Sequence, residues 1–248
     1  MIISNWIKNY AIDNKIDALV IGISGGIDSA VTSTLCAKTN IPTYVVSLPI
    51  HQNKNQLELA NLHINWLTKN FKNVHPINVS LSKIFDLFVS NIPNDFKNSL
   101  SDANTRSRLR MTTLYYLAQA KNGIVVGTGN KIEDFGVGFF TKYGDGAVDI
   151  SPIGNLKKSE VYALAQILGI LPDIIKAPPT DGLWADDRTD EDQLGCTYEE
   201  LEWAMEFDGT PNNDRERQIL EKYRSLHNKN KHKMTPIPVF GKVDYTRI

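Results

Sequence analysis

The feature that most constrains the fold is residues 19–29, where an apolar run leads directly into a glycine-rich turn. Residues 19–23 read Leu-Val-Ile-Gly-Ile, which is typical of a strand buried in a parallel sheet. The turn reads Ser-Gly-Gly-Ile-Asp-Ser, and apolar residues then recur at helical spacing. Because the N–H groups and the positive dipole end of a helix N-terminus attract anions, this strand–turn–helix unit predicts a phosphate-binding site.

The residue types of the turn suit a nucleotide triphosphate. Gly25 and Gly26 carry no Cβ, so the backbone can approach phosphate oxygens closely. Ser24 and Ser29 can donate hydroxyl hydrogen bonds, and the carboxylate of Asp28 can hold Mg²⁺ that bridges phosphates. The lysine of the G-x-x-x-x-G-K-[ST] loop is missing. The turn is therefore better suited to bind pyrophosphate as a leaving group than to promote transfer of the γ-phosphoryl group.

Composition excludes several classes of protein. The 248 residues carry a net charge of −1, which argues against a general nucleic-acid binder. No apolar run is long enough to span a bilayer, and the N-terminus lacks the pattern of a signal peptide. Cys36 and Cys196 offer no disulfide framework, and the five histidines are scattered, which argues against structural zinc. These observations predict a cytoplasmic enzyme with no membrane or nucleic-acid partner.

Alternating elements predict an α/β fold. Strands are expected at 43–48, 74–79 and 123–128, and helices at 57–66, 104–120 and from 154–155 to Gly169. This alternation predicts a doubly wound, mainly parallel sheet with helices on both faces and ligands at the carboxyl ends of its strands. Mobile loops are expected at about 81–103 and 180–196, although residues 81–100 begin with helical spacing.

A second polar turn follows the strand at 123–128. It reads Gly-Thr-Gly-Asn-Lys-Ile-Glu over 127–133, and Ile132 stands where the third glycine of a G-x-G-x-x-G cofactor loop would be. A Rossmann cofactor site is therefore disfavoured. Thr128 and Glu133 are instead expected at the edge of the sheet, where Glu133 can join Asp28 in binding Mg²⁺. The alternative is a solvated glutamate in a first helical turn.

Three arginines lie on the helix predicted at 104–120. Arg106 and Arg110 share a face by the i, i+4 rule, and a solvated basic face remains an alternative for them. Arg108 lies on the stripe of Met111 and Tyr115 and is therefore expected to be partly buried and directed at an anion.

A third stretch, Gly-Phe-Phe-Thr-Lys-Tyr-Gly-Asp-Gly at 138–146, completes a set of three motifs. In this order and spacing they resemble the ammonia-dependent NAD synthetases, a branch of the ATP pyrophosphatases, over nearly the whole chain. The resemblance implies ATP-driven amidation of nicotinic acid adenine dinucleotide (deamido-NAD) through an acyl-adenylate, with release of AMP and pyrophosphate. It also implies Mg²⁺ and a homodimer. One departure is an extra residue between Glu133 and Gly138.

The resemblance also assigns site residues. ATP contacts are expected from Gly22, Ile23, Ser24, Gly25, Gly26, Ile27, Asp28, Ser29, Thr128, Lys158 and Thr180. Deamido-NAD contacts are expected from Arg108, Lys142, Asp149, His232 and Lys233. The metal ligands would be Asp28 and Glu133. Catalytic roles fall to Asp28, Lys158 and Asp149, with Asp149 as an acceptor of a proton from the attacking nitrogen.

Residues 176–192 combine prolines, glycine and dense charge. They are interpreted as a lid that protects the acyl-adenylate from water, with an acidic surface loop as the alternative. Only a short helix precedes the phosphate loop, so a single synthetase domain over 1–248 without a glutaminase domain is expected, with free ammonia as nitrogen donor. Two other functions remain as alternatives. A tRNA-adenylating ATP pyrophosphatase would want paired cysteines and a basic surface, and a nucleotide-binding module without catalysis would bind ATP without releasing pyrophosphate.

Overall fold

Four parallel strands form the sheet of this computed structural model, which describes residues 1–180, 182–184 and 189–241. The strands are β1 (Ala18–Gly22), β2 (Thr43–Ser47), β3 (Val74–Asn78) and β4 (Gly123–Val125), in the order β3-β2-β1-β4. The order places β1 in the interior of the sheet, and all pairs are parallel. The predicted parallel α/β sheet is confirmed. β4 is shorter than predicted because Val126 makes only an isolated bridge to Ile150 before the chain turns away.

Helices connect the strands and cover both faces. The described helices are α1 (Ile2–Asp13), α2 (Ile27–Ala37), α3 (Lys54–Asn70), α4 (Ser82–Ser90), α5 (Ser99–Gln119), α6 (Lys158–Leu168), α7 (Pro172–Lys176), α8 (Asp190–Leu194), α9 (Tyr198–Glu206) and α10 (Asp214–Met234). α6 begins three or four residues later than predicted but ends at Gly169 as expected, with a left-handed φ of 73°. A 3-10 turn (Asn94–Phe96) and a π-helix (Ile132–Val137) complete the set.

Alternate residues of β1 enter two different cores, as the pleat of a strand requires. Leu19 and Ile21 pack with α1, α2, α3 and α6, whereas Val20 packs on the other face with α4 and α5. Helices therefore bury both faces of the sheet, which confirms the doubly wound arrangement. A third core joins α9 and α10 to the π-helix.

The two segments that were predicted as mobile loops both contain helices. Within 81–103, residues 82–90 and 99–103 are helical, so irregular structure is confined mainly to 91–98. The segment 180–196 contains α8, while 181 and 185–188 lie outside the described residues. The mobility of both segments and the lid interpretation stay predictions. In the described ranges, no helix combines the length and apolar character that crossing a bilayer requires.

Candidate active site

A cavity of about 270 Å³ opens at the carboxyl ends of β1, β2 and β4. All of the predicted phosphate-loop residues except Gly25 line it, and so do four further predicted residues from three other segments, Thr128, Glu133, Lys158 and Thr180. The structure therefore brings together residues that are up to 158 positions apart in the chain, from Gly22 to Thr180, at the sheet edge where the fold predicts a ligand.

The two serines organise the phosphate turn. Ser29 Oγ donates to Gly26 O at 2.9 Å, and Ser24 Oγ lies 3.1 Å from Ser29 Oγ. The Gly26 amide donates to Ser24 Oγ at 3.2 Å. Gly26 is also the N-cap of α2, and no side chain caps that helix. Because the amides of the first turn have no intrahelical partner, the cavity-facing start of α2 is suited to bind an anion.

Gly25 has a role in packing, and its predicted contact with ATP stays a prediction. Its φ is 93°, which side-chain-bearing residues rarely adopt, and a Cβ there would lie 2.5 Å from the carbonyl oxygen of Gln56 in α3. Gly25 therefore allows the turn to pack against α3, and it does not line the cavity.

A buried lysine joins two carboxylates in the wall of the cavity. Lys158, in the first turn of α6, is 2% exposed. Its Nζ lies 2.5 Å from Asp28 Oδ2 and 3.0 Å from Glu133 Oε1. Burial alone would lower the pKa of Lys158, but Asp28 and Glu133 outweigh burial and raise it. Lys158 is therefore a permanent cation at this position.

Asn130 connects the carboxylate of Asp28 to the backbone that carries Glu133. It is 0% exposed, and its Nδ2 donates to Asp28 Oδ1 at 3.2 Å. Its Oδ1 accepts hydrogen bonds from the backbone amides of Ile132 and Glu133, each at 3.1 Å. An asparagine in a turn gives no sequence signal for such a contact, because Asp28 lies 102 positions away.

Tyr198 also contacts the charged group formed by Lys158, Asp28 and Glu133, and the sequence analysis did not predict this contact. Its hydroxyl donates to Glu133 Oε1 at 2.5 Å, and its ring lies 4.6 Å from Lys158 Nζ. Burial opposes ionisation of Glu133, but Lys158 and the Tyr198 hydrogen bond outweigh burial and lower the pKa of Glu133. For Asp28, burial and the nearby Glu133 raise the pKa against the pull of Lys158.

The residues present fit magnesium. Mg²⁺ in nucleotide sites is usually held by one or two carboxylates together with phosphate oxygens and water. Asp28 and Glu133 line the same cavity and already share one cation, the ammonium of Lys158. In the described part of the chain, no group of three or more acidic, histidine or cysteine side chains is arranged to hold a metal by itself. Asp28 and Glu133 would thus hold the ion only with help from the substrate.

The extra residue between Glu133 and Gly138 coincides with the π-helix. Such single-turn π segments often occur at functional sites. The π-helix carries Asp134, whose carboxylate occupies the space that a Cβ of Gly129 would need. Burial and then the neighbouring carboxylates Glu133, Asp145 and Asp28 raise the pKa of Asp134 to about 8. The carboxylate of Asp134 can thus lie in the cavity wall only because residue 129 is a glycine.

The arginines of α5 are arranged opposite to the prediction. Arg108 is exposed, so its expected burial is wrong. Arg106 and Arg110 are half-buried instead: the Arg106 guanidinium lies 4.4 Å from the centre of the Phe85 ring, and Arg110 Nε donates to Leu48 O at 3.0 Å. Arg110 also lines the cavity, where its charge can meet an anion.

Four of the five predicted deamido-NAD residues form one group beside the cavity. Lys142 Nζ donates to His232 O at 2.8 Å, and Arg108 donates to Lys142 O at 3.3 Å. Lys233 Nζ donates to Phe140 O at 2.7 Å and lines a second cavity of about 130 Å³. The two cavities share five wall residues: Gly127, Gly129, Asp134, Asp145 and Val148.

Asp149 lies apart from this group. Its Oδ2 accepts the amide of Val125 at 2.7 Å, and its Oδ1 accepts the hydroxyl of Tyr115 at 3.2 Å. Asp149 lines neither cavity. Its position therefore gives no support to the expected role as proton acceptor.

The chain is similar to known proteins along nearly its whole length. The family model for NAD synthase matches residues 1–237. The NH3-dependent NAD+ synthetase of Alkaliphilus metalliredigens is 38% identical over 242 residues, covering 94% of each chain. Among solved structures, the NMN synthetase of Francisella tularensis is similar with a TM-score of 0.87 and 34% identity over 97% of this chain and 96% of that one. The NH3-dependent NAD synthetase of Campylobacter jejuni has a TM-score of 0.75 and 28% identity over 96% of each chain.

Proposed function

Because the chain belongs to the NAD synthase family, we propose that the 270 Å³ cavity is where ATP and a nicotinate carboxylate react. The chain is a ligase that catalyses the ATP-dependent amidation of deamido-NAD with ammonia to give NAD. The observation that supports the site most strongly is the convergence of the phosphate turn, Lys158 and two carboxylates on one cavity. We propose that the described elements act as one catalytic domain.

The triphosphate of ATP is proposed to lie against the turn of residues 24–29. The open N-terminus of α2 supplies amide donors, and Ser24 and Ser29 supply hydroxyls. Lys158 is a fixed cation at the same wall, and Thr128 and Thr180 line the opening. Positive charge placed before the reaction stabilises the charge that develops on pyrophosphate as it leaves.

The reaction is proposed to run in two steps. A carboxylate oxygen of the nicotinate attacks the α-phosphorus of ATP, and the bond to the bridging oxygen of pyrophosphate breaks. Ammonia then attacks the carbonyl carbon of the acyl-adenylate, loses a proton, and displaces AMP. In the described site no side chain needs to act as a nucleophile, because positioning and charge stabilisation lower both barriers.

The remaining part of the substrate is proposed to extend toward the second cavity. Arg108, Lys142, His232 and Lys233 are joined by contacts through backbone oxygens at this side of the molecule. Their charges suit the diphosphate of a dinucleotide. Asp149 lies apart from this group and stays a proposed substrate contact, while its position gives no support to a role in proton transfer.

Mg²⁺ is proposed to bind at Asp28 and Glu133, where it would neutralise charge on the phosphates. The ammonium of Lys158 contacts both of these carboxylates. The described residues supply the two carboxylates, and Asn130 and Tyr198 keep them oriented.

A homodimer is also proposed. Large apolar side chains of α4, the 3-10 turn and the start of α5 are exposed together: Ile84, Leu87, Phe88, Phe96 and Leu100. Exposed large apolar side chains of this kind favour an interaction site, and a second copy of the chain would bury them. A cytosolic location belongs to the same proposal, because ATP is available there.

A second candidate function is amidation of the mononucleotide, nicotinic acid mononucleotide, to NMN. It is favoured by the likeness to the Francisella tularensis NMN synthetase, which extends over nearly the full length of both chains. Both substrates present the same nicotinate carboxylate, so the two candidates share the ATP site and differ in the group beyond the first phosphate.

An end-point assay tests the proposal. Purified protein receives Mg²⁺, ATP, ammonium and either deamido-NAD or the mononucleotide, and the ratio of the two kcat/KM values decides between the candidates. A parallel reaction replaces ammonium with glutamine, which should give little product. Asp28→Asn should lose turnover, because it removes a proposed ligand of Mg²⁺, and should keep the fold, because Lys158 retains its contact with Glu133. Formation of neither amide with ammonium would contradict the proposed function.

A further inference from the structure

We propose that Tyr198 is a positioning residue that orients Glu133 for metal binding through its hydroxyl group. This inference rests on the proposed function, because it takes Asp28 and Glu133 as the ligands of Mg²⁺. Tyr198 itself is not among the residues that line the two cavities, and it meets the site through side chains that do. Of these side chains, Glu133 accepts the shorter hydrogen bond from the hydroxyl, and the proposed effect passes through Glu133.

The geometry ties the hydroxyl to one carboxylate oxygen. Tyr198 Oη lies 2.5 Å from Glu133 Oε1, the same oxygen that accepts from Lys158 Nζ at 3.0 Å. With two donors on Oε1, the carboxylate plane is held in one orientation. Glu133 also lines the first cavity, where its carboxylate can meet an ion.

Tyr198 is itself held by several contacts. It is the first residue of α9 and is 7% exposed within the core formed by α9, α10 and the π-helix. Its amide donates to Glu191 Oε1 at 2.9 Å, and its hydroxyl also lies 3.1 Å from Asp190 Oδ2. The ring cannot turn away from Glu133 without leaving this core and breaking the contact of its hydroxyl with Asp190. A phenol fixed in this way is suited to define the position of a flexible glutamate.

The magnitude follows from studies of residues that hold metal ligands. Loss of such a partner typically lowers metal affinity about 10–100-fold. Tyr198→Phe removes the hydroxyl and keeps the ring, so the packing of the core should survive. We therefore expect a loss of metal affinity of that size with little change in Tm.

Tyr162→Phe is the matched control. Tyr162 is half-buried on α6 and close enough to Lys158 and Asp28 for both charges to influence its pKa. No hydrogen bond joins its hydroxyl to Glu133 in the described part of the chain. Both substitutions remove one hydroxyl near the same centre, but only Tyr198→Phe removes a contact to Glu133.

The experiment measures binding of Mn²⁺, a paramagnetic substitute for Mg²⁺, in the presence of a non-hydrolysable ATP analogue. Electron paramagnetic resonance of free Mn²⁺ gives the affinity without turnover. The expected result is about 10–100-fold weaker binding in Tyr198→Phe and unchanged binding in Tyr162→Phe. Unchanged affinity in Tyr198→Phe overturns the inference.

A double-mutant cycle with Glu133→Gln tests the route of the effect. If Tyr198 acts through Glu133, adding Tyr198→Phe to Glu133→Gln should weaken Mn²⁺ binding little further. Full additivity overturns the inference even if Tyr198→Phe alone lowers stability. Mn²⁺ binding that is insensitive to Glu133→Gln overturns the proposed metal site as well, whereas additivity with a sensitive Glu133 overturns the role of Tyr198 alone.

Discussion

Lys158→Met removes an ammonium group from between two carboxylates and keeps a side chain of similar length. The Lys158 side chain is 3% exposed, and its Nζ contacts Asp28 at 2.5 Å and Glu133 at 3.0 Å. Without the ammonium, two negative groups lie close together where water has little access. Removing one partner of a buried ion pair costs about 3–5 kcal/mol, because the remaining charge is not compensated.

The expected loss is large enough to measure by heat denaturation. For a chain of this length, 1 kcal/mol shifts the Tm by about 2–4 °C, so Lys158→Met should lower the Tm by roughly 6–20 °C. Lys157→Met is the control, since the Lys157–Glu206 pair at 2.6 Å lies on the surface and should contribute little. Circular dichroism without nucleotide gives both values.

Two results would refute the reasoning. The first is an equal Tm for Lys158→Met and Lys157→Met, which would mean that the buried centre does not depend on its cation. The second concerns Asp28→Asn/Lys158→Met, in which one of the two uncompensated charges is also removed. This double variant should recover part of the lost Tm, and a further decrease would contradict the electrostatic explanation.

Three further predictions follow from other parts of the fold. Burial lowers the pKa of His63 to about 4, whereas the pKa in the unfolded chain is about 6.5. Between these values the unfolded chain binds more protons than the folded one. The free energy of unfolding should therefore fall by about 3 kcal/mol as the pH falls from 6.5 to 4. Urea titrations of the wild type and His63→Gln should show a shallower pH dependence in the variant. Gly25→Ala should lower the Tm much more than Gly169→Ala, because both glycines have positive φ but only Gly25 faces a neighbouring carbonyl. Phe96→Asp, which places a charge in the exposed apolar surface, should convert a dimer to a monomer in light-scattering measurements.

Each of these has a clear contrary result. Identical pH slopes for wild type and His63→Gln would exclude His63 as the source of the acid sensitivity. Equal Tm values for the two glycine variants would mean that the packing of the turn on α3 is not limiting. A wild type that is monomeric at micromolar concentration would remove the proposed dimer.

Local patterns in the sequence were sufficient for the sheet and for the phosphate turn. The apolar run before Ser24 and the helical spacing after Ser29 each depend on neighbours within a few residues, so β1 and α2 lie where predicted. Gly169 ends α6 for the same reason, since a left-handed C-cap is a local property.

The faces of α5 could not be assigned in the same way. Helical spacing correctly separates Arg108 from Arg106 and Arg110, but it does not say which face meets the rest of the protein. That choice depends on Phe85 and Leu48, which contact α5 from distant segments. The prediction placed the buried face on the wrong side for this reason.

The residues that contact the carboxylates of Asp28 and Glu133 could not be predicted from the sequence either. Tyr198 lies 65 positions from Glu133, and Asn130 lies 102 positions from Asp28. Neither shows a periodicity or spacing that indicates its partner. The extra residue before Gly138 was visible in the sequence, but its accommodation as a π-helix depends on the packing of α9 and α10 around it.

The central claim is that the turn of residues 24–29, with Lys158, holds ATP while it is split between its α and β phosphorus atoms. Phosphorus NMR of the products from Mg²⁺, ATP, deamido-NAD and ammonium tests it most directly. The predicted result is one AMP and one pyrophosphate for each NAD formed. Appearance of ADP and inorganic phosphate in step with NAD would contradict it.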